Sequence, residues 1–437
     1  MCPDLSNRKG RGSGRRSGHL FLVLARRMSS NQGDAYLIGE ALKRLPKSSC
    51  KYAIEAALKA GSEAADIYPA IDAALAAKLQ ESLDSELVME LYNRIPRESL
   101  ALQKTGIEVY KQCAQIMRDR NTDTQYPASY IEVLNNYSSR LLLARQLDEA
   151  KANTDITYEF VSTCYEDDPQ NFYVPYIETL ESRAVIHSYL GKIELAIDDR
   201  QQAIDVIGNH KDYPKRELAR ILNNHAGILS ASEAWEQALE TSQDAVSIYH
   251  KIYLESGEVI GTRFSDGLDS WKEDCRPDLG DALIALSTYQ TRQEKYEEAL
   301  DSVTRAEDIF STLNDDFPDQ FSRHLAMVHN NYAMCYSRLN RSEETRQHLE
   351  DALSIYKQLA VNHLAAIAGE YIHVYINVIK SKIVDNEYED AIVDYNNLVE
   401  VFSKLPHDIM PSMEQYKQAI LSLNHTLQFY LSEKEEV

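Results

Sequence analysis

The chain has 437 residues, enough for two or three globular domains or for one long repeat array, and its 44 % hydrophobic content supports a real core. Its formal net charge of −22 repels nucleic-acid phosphates and anionic headgroups, so both are excluded as expected partners. Only 16 Gly and 12 Pro interrupt it, favouring long helices over a turn-rich β fold, and six scattered cysteines without a CxxC argue against a disulfide scaffold or a zinc site.

Residues 1–30 read as a basic, disordered leader. Within 1–27, seven Lys and Arg face the single acid Asp4, giving +6 and leaving −28 for the rest. The apolar run at 20–25 is too short to span a bilayer, and no transmembrane pattern follows. The expected location is cytoplasmic, with mitochondrial import as the alternative because an Arg- and Ser-rich, acid-poor start suits a transit peptide. Residues 31–120 are helical text without a clear repeat, broken at Gly61, Pro69 and Pro96, and read as degenerate units, a cap or a separate small helical domain.

A repeat occupies 121–405. In residues 212–252, Leu222, His225, Ala226 and Leu229 form one helical face, and Ala238, Leu239, Ser242, Ala245, Val246 and Tyr249 form a second after a short polar break. Such a pair must fold back antiparallel. Aligning the residue that opens the second helix gives Ala150, Ala196, Ala238, Ala299, Thr345 and Ala391, in steps of 46, 42, 61, 46 and 46. Small residues sit twelve before this mark (Ser138, Ala184, Ala226, Ser287, Ala333, with Ile379 the exception) and seven after it (Thr157, Ala203, Ala245, Ala306, Ala352, with Leu398 the exception). Small side chains at those places let helix axes cross closely. Ile248-Tyr249, Ile309-Phe310, Ile355-Tyr356 and Val401-Phe402 reproduce the last three steps independently. Pro127, Pro175, Pro214, Pro277 and Pro318 are expected just before first helices. The longest step holds an insertion at about 255–276, read as a surface loop or a flap over a groove, and 406–437 reads as a capping helix with an acidic tail.

Small residues at this spacing resemble the tetratricopeptide repeat. Units of 42–46 residues with Leu134-Asn135-Asn136, Leu222-Asn223-Asn224 and His329-Asn330-Asn331, followed by Glu236-Gln237-Ala238-Leu239 or Glu297-Glu298-Ala299-Leu300, are similar to the kinesin-light-chain-like subclass. Ile284-Ala285, Ile376-Asn377 and Thr345 depart from it. The resemblance implies an all-α, right-handed α-solenoid of stacked antiparallel helix pairs, whose first helices line a concave peptide-binding groove. It implies no chemistry.

Asp315-Asp316-Phe317-Pro318-Asp319 matches a diphosphate-holding DDxxD, but acid followed by proline is the habitual punctuation between units here, so no metal is assigned. No phosphate loop, HExxH, histidine cluster or GxSxG elbow occurs, so no catalytic, cofactor or metal residue is expected. The candidate site is instead the groove, with Asn135, Asn223 and Asn330 as a ladder of side-chain amides interrupted at Glu181 and Ile284, and Arg220 as its cation. The second Asn (Asn136, Asn224, Asn331, Asn377) is expected to hydrogen-bond a neighbouring helix. Asn135, Glu181 and Asn223 stand where the chaperone-tail-binding members of that family have lysines, with the acids Glu132 and Glu178 nearby, so a C-terminal carboxylate is a poor ligand. The expected function is an interaction scaffold or adaptor binding an extended peptide; the alternative is a regulatory subunit or a helical-repeat enzyme without a recognisable motif. Partner identity and oligomeric state are not readable.

Overall fold

The computed structural model describes residues 72, 76, 77, 79, 80, 85–92, 103–120, 122–256, 274–317, 320–405 and 410–435. Among them there is no strand. Residues 1–71, with the leader and the breaks at Gly61 and Pro69, and also Pro96, Pro318, Asp319 and most of the 255–276 insertion lie outside the described residues. The chain divides into two compact units, Met1–Lys211 and Asp212–Val437.

In the first unit, α1 (Ser85–Tyr92) and α2 (Gln103–Asp119) precede two helix pairs. The pairs are α3 (Pro127–Leu143) with α4 (Leu147–Asp167), and α5 (Pro169–Tyr189) with α6 (Ile193–Gly208). Asp72 holds the start of α2 by accepting from the Lys104 and Thr105 backbone N–H groups, both at 2.8 Å. Carboxylates favour that end of a helix because its amides lack partners. Val109 and Tyr110 are buried, with Tyr110 edge-on to Tyr92 at 5.2 Å.

The second unit contains α7 (Lys215–Ala231), α8 (Trp235–Ser256), α9 (Arg276–Arg292), α10 (Tyr296–Asp316), α11 (Ser322–Arg338), α12 (Ser342–Val384), α13 (Tyr388–Ser403) and α14 (Glu414–Glu435). Its 43-residue α12 is two repeat helices run together, bent at His363 (φ −131°, ψ 24°). No proline lies between these two helices, unlike at the other junctions, and the Ala-rich text there favours helix. The chain bends without breaking.

All eighteen frame positions, the mark and the residues twelve before and seven after it, are buried in every one of the six pairs. One proline expectation is corrected. Pro175 lies inside α5, which starts earlier at Pro169, capped by Asp168 through the Asn171 N–H. A proline in a second turn leaves one N–H out of the ladder without ending the helix.

A further periodicity appears at the turns. Arg145, Gly191, Glu233, Glu294, Asn340 and Asn386 all have φ between 56 and 71°, and each sits five residues before its mark. Each closes its first helix with the same two bonds: at the fourth pair, Lys295 N–H donates to Gln290 O (2.9 Å) and Glu294 N–H to Thr291 O (3.2 Å). That left-handed residue is most often glycine, because a Cβ costs about 1–2 kcal/mol there. Only one of these six is glycine. Glu294 is exposed, so Glu294→Gly removes the strain without loss of packing. The expected gain, after glycine's greater unfolded-state entropy, is about 0.5 kcal/mol. Thermal melting checks the sign; a lower melting temperature contradicts the turn assignment.

Candidate groove on the first helices

Residues eighteen and fifteen before each mark share one face of each first helix. In the first unit they are Glu132 and Asn135 on α3, then Glu178 and Glu181 on α5. In the second they are Arg220 and Asn223 on α7, Asp281 and Ile284 on α9, Met327 and Asn330 on α11, then His373 and Ile376 in the second half of α12. This face forms a real concavity in the second unit. A pocket of about 260 Å³ is lined by Met327, Asn330, Glu370, His373 and Tyr416, with Tyr356 among its other lining residues. Gly369 also lines it, and a Cβ there would stand 3.2 Å from the Tyr416 hydroxyl.

The sequence-predicted residues fall in three environments. Asn135 is only 8 % exposed, and its Oδ1 accepts from Thr179 of α5 at 3.2 Å. Asn330 is half-buried at the pocket, its Oδ1 accepting from Asn377 at 3.0 Å. Asn223 is half-buried, and its Oδ1 is enclosed with no hydrogen-bond partner among the described residues. Arg220 is exposed, one turn before Asn223 and paired with Glu217 at 2.8 Å. Thus two of the three ladder amides already bridge successive first helices through their oxygens.

The second Asn behaves as a helix-to-helix donor at three places. Asn331 Nδ2 bonds Ile284 O (3.0 Å) and Ser287 Oγ (2.9 Å), Asn377 bonds Asn330, and Asn136 reaches the Tyr92 hydroxyl at 3.4 Å. Asn224 is the correction: it is exposed.

Charge on this face varies along the chain. His324 Nε2 lies 3.6 Å from Asp281 Oδ1. Burial, then the Asp278 charge, push the Asp281 carboxyl upward against Arg323; the 48 % of its side chain still open to solvent limits that rise. Burial, then Lys380, lower the basicity of His373. Arg323 and Glu370 pair across the pocket rim. Of the DDxxD match, Asp316 stands 3.6 Å from Arg276, an ion pair between α9 and α10.

Sequence reasoning missed the polar pairs inside the hairpins. The residue three after a mark meets the residue nine before it: Asp199 with His187 (2.9 Å), Ser302 with Gln290 (2.8 Å), Asp394 with Lys382 (2.6 Å). Their constant separation of twelve was the available signal. In the fifth pair His348 takes this place, stacked on Tyr336 at 5.5 Å and on Tyr332 at 4.6 Å. It also meets His329, so the expectation of no histidine cluster is corrected: the nineteen-residue separation hides a contact that only the hairpin creates.

Stacked antiparallel pairs with small residues at nearly every crossing define an α-solenoid of tetratricopeptide-like hairpins. No protein-family model matches the chain, and no curated protein does. Solved structures do. It is similar to the apo form of RapI at 13 % identity and TM-score 0.50, over 72 % of this chain and 95 % of that one. It is also similar to a signal-transduction ATPase with a tetratricopeptide-repeat sensor from Pyrococcus horikoshii (12 %, TM-score 0.49, 96 % of this chain and 56 % of that one). A third match is a kinesin-light-chain protein with TPR-like repeats from Podospora anserina (13 %, TM-score 0.40, 54 % of this chain and 97 % of that one). This chain is a helical-repeat protein of the tetratricopeptide-like fold.

Proposed function

We propose that the chain is a protein–protein interaction scaffold that takes an extended peptide segment of a partner across its first helices. What carries this reading is the pocket between α11, the second half of α12 and α14, where Asn330, Glu370 and His373 stand beside Met327 and Tyr416. Apolar floor and a few convergent polar groups suit a side chain with its flanking peptide groups. The enclosed Asn223 Oδ1 supports it, because a buried acceptor without a donor costs about 1–3 kcal/mol until something fills it. The −22 of the whole chain favours a basic segment.

The test is Asn223→Ala combined with Asn330→Ala, assayed on a partner captured from native extract and on thermal melting. Two lost hydrogen bonds at about 1 kcal/mol each predict a dissociation constant up by about thirtyfold, with the protein still folded. Unchanged affinity together with a large loss of stability makes these amides purely structural and overturns the ladder.

A further inference from the structure

His329 of α11, and His348 and Asp351 of α12, belong to one hairpin of the second unit, and each offers a ligand atom within 4.8 Å of the other two. The two Nδ1 atoms face each other at 3.0 Å. As neutral imidazoles they share one hydrogen bond there, which is the dull account of the pair. Two observations go beyond it. With metal–nitrogen bonds of about 2.0–2.1 Å, adjacent ligands of a tetrahedral ion stand about 3.3 Å apart, so the two nitrogens already sit near the edge of a coordination sphere. His348 is also pinned, its ring stacked on Tyr332 at 4.6 Å and 19°, and on Tyr336 at 5.5 Å and 18°. A ring fixed on its faces keeps its nitrogen aimed.

We infer that His329, His348 and Asp351 form a binding site for a divalent transition-metal ion, with two imidazole nitrogens and one carboxylate oxygen as ligands. All three side chains are half-buried, leaving the ion a path from solvent. Asp351 lies one turn after His348 on the same face of α12, and its Oδ1 accepts from Gln347 at 3.1 Å. A carboxylate oxygen of Asp351 lies within 4.8 Å of both imidazoles, so a change of its rotamer can bring it to ligand distance. Glu307, which accepts from the Tyr332 hydroxyl at 2.9 Å, adds negative charge near the cation. Two nitrogens and one oxygen suit zinc, nickel, cobalt or copper(II) and not magnesium or calcium, which take oxygen ligands. A three-ligand set leaves at least one position for water or for a group from a bound partner. The ion would cross-link α11 to α12, whose far half lines the pocket.

Zinc and cobalt(II) titrations of the full chain, followed by calorimetry, visible absorption and thermal melting, test the site. The expected result is one equivalent bound, a cobalt spectrum of tetrahedral type, and a zinc-dependent rise in melting temperature that magnesium does not produce. His329→Asn and His348→Gln should each lose that equivalent, and Asp351→Asn should weaken it tenfold or more. Asp351→Asn changes a half-buried group on the helix surface and keeps the fold, so it decides the question even where a histidine variant misfolds. Zinc binding of equal stoichiometry and affinity in the folded Asp351→Asn and His329→Asn variants, or no bound equivalent in the parent chain, overturns the proposal.

Discussion

Gly280→Ala destabilises the second unit by about 2 kcal/mol. An alanine Cβ at this position would stand 2.6 Å from two ring atoms of Phe310 and 3.2 Å from a third. Phe310 is fully buried, part of the aliphatic-aromatic pair that closes α10, so its ring has nowhere to retreat. Overpacking of this kind costs about 1–3 kcal/mol or more, while alanine returns up to about 1 kcal/mol of helix propensity to α9. The clash wins because the contact is against a rigid ring and not the end of a flexible chain. Denaturant melts of Gly280→Ala with and without Phe310→Leu check this: the second substitution should recover part of the loss. A stability equal to the parent's means α9 and α10 do not cross at Gly280.

Asp199→Ala costs about 3–5 kcal/mol, the usual result of stranding a buried charge. The Asp199 carboxylate, 4 % exposed, joins α5 to α6 by accepting from Arg183 Nε at 2.9 Å, with a second bond from the same guanidinium. His187 Nδ1 meets its other oxygen at 2.9 Å. Arg183 is 15 % exposed and lies over the Tyr158 ring, 3.3 Å from its centroid, so without the carboxylate it keeps a cation in a place water barely reaches. Asp394, at the equivalent position of the last pair, meets Lys382, whose side chain is 21 % exposed. Asp394→Ala should therefore cost clearly less. Urea melts of the two variants give the order directly; equal losses, or the reverse order, contradict the reading that burial sets the cost.

How much of this was legible in the sequence follows from which residues packing constrains. The mark and its two companions are small because helix axes cross there, so Ala238, Ala226 and Ala245 announce the frame, and even Ile379 and Leu398, which break the size rule, keep the place. The turn five residues before each mark was not legible, since Arg145, Glu233 and Glu294 occupy a conformation whose ordinary signal is glycine. Pro175 misled because a proline in the second turn of α5 looks in sequence like one that precedes it. The merging of two helices into α12 was foreshadowed by a missing proline, a weaker signal than one that is present. Of the candidate groove, the choice of face was readable from helical period. The partners of the amides were not: Thr179 and Asn377 lie 44 and 47 residues from Asn135 and Asn330, and only stacking brings them near. His329 and His348 were hidden in the same way.

The most direct test of the scaffold reading is hydrogen–deuterium exchange on the full chain, with and without the captured partner. A peptide lying across the first helices should slow exchange in α11 around Asn330 and in the part of α12 around Glu370 and His373, with α10 and α13 unchanged. Slowing confined to α10 and α13 would place the partner on the second helices and contradict the groove.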